Sequence, residues 1–306
     1  MKISLLTVLL LSATVAPANA DTINVLTTTA DLKAVVEAVG GKHVKVDTLG
    51  LGNQNYHFLQ AKPSYMIKAR RADLFVRVGL DLEIGYESLI LEGSRNPDIQ
   101  VGRPGHLDAS EGIAALEIPD HVDRAMGDIH AHGNPHYWLD PVRMKIVAEH
   151  ITVRLSQLAP QYAAEFKENY SELSGTIDRK MREWQERLSP YRKEKLISYH
   201  RSWSYFADRF GFDVVDELEP KPGVPPSPAH LRTIIDIVQK QQIKVILNEN
   251  IYKEDAARYV SERTSAVVVS APISVGGARG VTDYIALMDR IVDSVQAGFA
   301  QFGGPR

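Results

Sequence analysis

The sequence predicts an α/β protein of two doubly wound, parallel-sheet domains joined by one long helix. Three observations carry this expectation. Short β-branched runs alternate with amphipathic segments from Asp21 onward, the alternation restarts near Leu196, and between Pro160 and Pro190 the apolar residues keep one helical period. The chain has 306 residues, 44% hydrophobic and 24% charged, which suits two soluble domains and excludes a fibrous or disordered chain.

Residues 1–20 read as an export signal. Lys2 precedes the apolar run Leu5 to Leu11, and Ala18-Asn19-Ala20 has the small-residue form of a cleavage site, so cleavage is expected after Ala20. The run is too short for a bilayer core that needs about 20 residues. No cysteine follows it, so no thioether-linked lipid is expected and the mature chain should be free in a periplasm.

Residues 21–158 form the first expected domain. Ile23 to Leu26 reads as a strand, Leu32 to Val39 as a helix closed by Gly40-Gly41, and Val44 to Asp47 as a second strand, which together open a βαβ unit. Pro63 starts a helix through Arg70, and Asp73 to Val78 returns as a parallel strand. Asp140-Pro141 ahead of the helical run Val142 to Leu155 is an N-cap followed by proline at the first helical position, which accounts for Asp140 structurally. Trp138 is expected to pack.

Residues 159–190 form the linking helix. Tyr162, Phe166, Tyr170, Leu173, Ile177, Met181, Trp184 and Leu188 recur at steps of three and four. A helix of this length runs about 40 Å and can lie across two domains.

Residues 191–306 repeat the alternation. Strands are expected at Leu196 to Tyr199, Val214-Val215, Val245 to Leu247 and Val267 to Val269. The helices between and after them are Ser202 to Phe210, Pro228 to Gln241, Glu254 to Thr264 and Val281 to Ala297. The proline-stiffened loop Glu219 to Pro228 is expected to border the cleft between the domains.

The composition narrows the function. Lys and Arg total 35 against 38 Asp and Glu, and no basic block is present, so nucleic acid is not an expected partner. The Gly-rich phosphate loops and the G-x-S-x-G elbow are absent. With no cysteine, any metal must be held by nitrogen and oxygen.

Open α/β sheets bind ligands beyond the carboxyl ends of their strands. Four side chains occupy such positions: His57, His136, His200 directly after Leu196 to Tyr199, and Glu249 directly after Val245 to Asn248. Two come from each half, so an interdomain cleft could gather them around one cation, and imidazoles with one carboxylate suit Zn²⁺ best. His130 and His132 read equally as weak metal collectors or as members of a solvated loop. His43, His106, His121, His150 and His230 have no partner pattern and are taken as structural.

The mature chain resembles the solute-binding proteins of bacterial zinc and manganese ABC importers. The resemblance rests on Tyr56-His57 before Lys62-Pro63-Ser64, Arg71-Ala72-Asp73-Leu74 with Gly79, His136-Tyr137-Trp138-Leu139-Asp140-Pro141, and Tyr199-His200 before Tyr205-Phe206. It implies that His57, His136 and His200 bind the metal directly, and that the partner is an inner-membrane ABC permease with its ATPase. It implies Zn²⁺ as cargo, since manganese-selective relatives commonly carry a carboxylate at the third position; Mn²⁺ and Fe²⁺ rank below. The expected state is a monomer and not an enzyme. Many relatives also carry an aspartate ligand where this chain reads Ser270-Ala271-Pro272. The fourth position then falls to Glu249, to water, or to Asp283, with Glu249 ranked first. The rival reading is a secreted zinc hydrolase with Glu249 as general base, and the absence of H-E-x-x-H stands against it.

Overall fold

Two four-stranded, all-parallel sheets with flanking helices make up the chain, with orders β2-β1-β3-β4 and β6-β5-β7-β8. The computed structural model describes residues 22–121, 127 and 130–303, so the expected signal segment lies outside the described residues. In the first sheet β1 is Ile23–Thr27, β2 Val44–Thr48, β3 Leu74–Arg77 and β4 His106–Asp108. In the second, β5 is Lys195–Ser198, β6 Asp213–Glu217, β7 Val245–Glu249 and β8 Val267–Ala271. The central strands are buried along nearly their whole length while the edges β2 and β6 are partly wet. Strands covered by helices on both faces demand continuous apolar runs, which is why these segments read as strands without alternation.

The helices are α1 Ala30–Gly40, α2 Pro63–Arg70, α3 Glu87–Ser94, α4 Pro141–Leu158, α5 Ala163–Leu188, α6 Ser204–Phe210, α7 Pro228–Gln241, α8 Asp255–Ser261 and α9 Tyr284–Ala300. Their starts follow local chemistry. The Asp140 side chain accepts from Val142 N–H at 2.9 Å ahead of Pro141, and Ser227 accepts from His230 N–H at 3.2 Å ahead of Pro228. Asp140 is also clamped by Arg143 and Arg209 at 2.6 and 2.7 Å, so its carboxylate is wholly occupied by structure.

The 26-residue helix α5 links the two domains and spans about 39 Å. Near its start, Glu165 meets His43 at 3.0 Å and Asn169 donates to Val39 O at 2.9 Å, both on the first domain. Near its end, Trp184 Nε1 donates to Asp289 at 2.7 Å and Arg187 meets Asp293 at 2.6 Å, both on α9. One apolar cluster runs from Val25 and Val36 through Phe166 and Trp184 to Leu196 and Ile291, so the domains share a core along this helix. Among the described residues no helix is long and apolar enough to cross a membrane.

Several element bounds differ from expectation by one to three residues, and three departures have a specific local cause. Strand β4 and helix α3 were not expected: β4 is only His-Leu-Asp, without an apolar run. It is held by pairing to β3 and by Arg77, which bonds Asp108 and Glu87, while His106 meets Glu87 at 2.8 Å. Helix α9 begins at Tyr284 rather than Val281, because Asp283 caps it. Strand β7 extends to Glu249, which lies beside Ala271 inside the sheet instead of just beyond it.

Candidate metal centre

The carboxyl ends of both sheets open on one crevice, and side-chain hydrogen bonds, most of them to backbone groups across the crevice, close it. Trp138 Nε1, buried as expected, donates to Ile273 O at 2.8 Å, and Tyr284 OH donates back to Trp138 O at 2.7 Å. Asn55 Nδ2 donates to Tyr252 OH at 3.0 Å, and Val275 N–H donates to Asp31 at 2.9 Å.

In this crevice His57, His136 and His200 place one donor atom each within 4.8 Å of one another. Each is set by a different device. His57 sits in a single helical turn, Tyr56–Phe58, where Asn55 Oδ1 accepts from His57 N–H at 3.0 Å. Asn134 Oδ1 accepts from the His136 backbone N–H at 2.9 Å and from its Nδ1 at 2.8 Å, which leaves Nε2 as the nitrogen available. Glu219 Oε2 takes Nδ1 of His200 at 2.8 Å, with the same consequence for that ring.

The Nε2 atoms of His57 and His136 lie 3.2 Å apart. Two nitrogens on a tetrahedral zinc, each about 2.0–2.1 Å from the ion, stand roughly 3.3 Å apart. The spacing therefore matches two ligands of one ion. Burial holds the His57 and His136 imidazoles well below the ordinary histidine range, and the neighbouring histidine rings lower both further. Neutral imidazole is the form that binds a cation.

Glu249 does not join this group. Its side chain is fully buried at the end of β7 and faces the backbone N–H of His200, at 3.3 and 3.4 Å from its two oxygens, and burial pushes its carboxyl up to about 7. Strand geometry directs it to the adjacent strand end rather than to the histidine nitrogens. Asp283 is likewise elsewhere: exposed, it accepts from Ala286 N–H at 2.9 Å as the cap of α9. Pro222 of the proline-stiffened loop lines the crevice beside His136 and His200. His132 bonds Asp81 at 2.8 Å on the surface, whereas the His130 ring stands 5.0 Å from that of His57.

Two positioning residues escaped the sequence reading. Glu219 lies two residues beyond β6, and the strand-end rule that selected His200 would have selected it as well. Asn134 stands ahead of Pro135 two residues before a histidine, the pattern of an Asx turn.

A family model described as zinc-uptake complex component A, periplasmic (ZnuA), matches residues 25–298. The iron-binding protein YfeA of Yersinia pestis is 27% identical over 283 residues, covering 90% of this chain and 86% of that protein. The manganese-binding lipoprotein MntA of Bacillus subtilis is 24% identical, covering 78% of this chain and 75% of that one. A solved ZnuA deletion mutant with zinc bound has the same fold, with a TM-score of 0.76 at 21% identity over 90% of this chain and 97% of that one.

Proposed function

Because the chain belongs to the family of periplasmic zinc-uptake component A proteins, we propose that it captures Zn²⁺ between His57, His136 and His200 and delivers it to an inner-membrane ABC permease. The observation that supports this most is the 3.2 Å separation of two imidazole nitrogens, one on buried His136 and one on partly buried His57, with a third within reach. The chain has no cysteine, and among the described residues no carboxylate belongs to that group. A nitrogen-only set favours zinc over the harder manganese ion, and at equal geometry zinc also binds more tightly than iron(II).

In this reading Glu249 acts from behind His200, offsetting the charge of the ion rather than binding it. The exported form begins after Ala20. The shared core along α5 limits closure to a small movement, so apo and loaded forms differ little in small-angle scattering. Relatives named for iron and for manganese make these ions the rival cargoes.

Calorimetric titration of Zn²⁺ into the metal-stripped chain 21–306 tests the proposal. One submicromolar site, abolished by His136→Ala, is expected. Tighter binding of Mn²⁺ or Fe²⁺ under the same conditions would reassign the cargo, and the absence of any tight site would refute metal capture by these residues.

A further inference from the structure

We propose that His130 supplies the fourth donor to the ion held by His57, His136 and His200, an assignment that rests on the reading above. The His130 ring centroid stands 5.0 Å from that of His57, as near as those of His136 at 5.1 Å and His200 at 5.4 Å. It lines the same pocket of about 40 Å³ as Asn134, His136, His200 and Pro222, space enough for a bare or partly hydrated ion. Its nitrogens stand outside the 4.8 Å group of the other three. A turn of the imidazole about its side-chain torsions is what joins it to the ion.

The backbone after His130 is held in place. His130 O accepts from Gly133 N–H at 3.2 Å, and Gly133 has a φ of +104°, which a side chain would strain. Asn134 N–H donates to Leu116 O at 2.8 Å. Between these points, Asp81 Oδ2 accepts from His132 N–H at 3.3 Å and from its ring at 2.8 Å. Asp81 follows β3, so the first domain grips the segment that presents His130.

The strand ends provide no competitor. Ala271 has no donor atom, Glu249 is turned to the His200 backbone, and Asp283 caps α9. A zinc ion with three imidazoles seeks a fourth ligand to complete a tetrahedron, and a fourth imidazole leaves a doubly positive cluster. Glu219 and Glu249, both buried beside His200, offset that charge. Four nitrogens also raise the preference for zinc over manganese above what three provide.

The test uses the metal-stripped chain 21–306 with Co²⁺ as a visible probe and Zn²⁺ measured by chelator competition. For His130→Ala we expect Zn²⁺ affinity to fall at least tenfold and the visible Co²⁺ bands to move and weaken, while the exposed His121→Ala leaves both as in the unsubstituted chain. Thermal melting of the metal-free variants checks that both fold. Unchanged Co²⁺ bands and Zn²⁺ affinity in His130→Ala, alongside binding by the unsubstituted chain, would overturn this assignment alone. No uptake of either ion by the unsubstituted chain would overturn the underlying reading and this assignment with it.

Discussion

The Nδ1 of His200 lies 2.8 Å from Oε2 of Glu219, with both side chains buried, so a carboxylate just past β6 fixes the tautomer of an imidazole just past the neighbouring strand β5. Glu219 also accepts from Gly223 N–H at 3.1 Å and so anchors the proline-stiffened loop over the crevice. Glu219→Gln keeps the size but offers an amide in place of the negative charge. Partners of this kind are worth about 10–100-fold in metal affinity. We expect a loss of about tenfold for Zn²⁺, read by chelator competition; an affinity equal to that of the unsubstituted chain would show that His200 needs no such support.

His57 and His136 are held well below the ordinary histidine range by burial, with repulsion from nearby imidazoles adding to it. The folded, metal-free chain keeps these rings neutral at pH values where an unfolded chain protonates them, so their contribution to stability is full above about pH 6.5 and is lost as pH falls below it. Their imidazole NMR signals should therefore keep the neutral form at pH 6. A titration midpoint at 6.5 or higher for either ring would contradict the burial argument.

Asp31 titrates in the opposite sense. It is buried at the start of α1, accepts from Val275 N–H of the second domain at 2.9 Å, and burial raises its carboxyl from 3.8 to about 7. Between those values the folded chain holds a proton that the unfolded chain has released. Stability from this group therefore declines as pH rises through that window. Asp31→Asn removes the titration and keeps a carbonyl oxygen for Val275. Between pH 5 and pH 8 the urea midpoint should fall less in the variant than in the unsubstituted chain, and parallel midpoints would place the proton elsewhere.

Helices α2 and α7 were legible to the residue because proline at the first helical position states where each begins, and α7 adds a serine cap. His200 was legible because a parallel sheet delivers its strand ends to one crevice and β5 ends at Ser198, whereas His57 and His136 reach that crevice from loops well beyond β2 and β4. Glu249 obeyed that rule in sequence and not in space. Side chains alternate between faces along a strand, and β7 runs to Glu249 itself, so the position of the residue said nothing of the direction of its carboxylate. Strand β4 was unreadable because three residues carry no periodicity. Its stability comes from Arg77 and Glu87, which are distant in sequence.

The seam between domains is the most sensitive place to test closure, and Gly52 lies in it. A Cβ built on Gly52 would collide with Val275 O and stand 2.6 Å from Gly277 N, both backbone atoms of the opposite domain. No rotamer change relieves contact with backbone, so alanine here must push the domains apart or displace the loop that carries Asn55 and His57. Either movement takes His57 away from His136 and His200. The cores on each side are untouched, so most of the stability remains. For Gly52→Ala we expect at least a tenfold loss in Zn²⁺ affinity, with thermal melting of the metal-free protein close to that of the unsubstituted chain. Gly85→Ala serves as the control, since a Cβ there meets nothing within 4 Å. If Gly52→Ala binds Zn²⁺ as tightly as Gly85→Ala, the seam yields freely and the close approach of the domains contributes nothing to holding the ion.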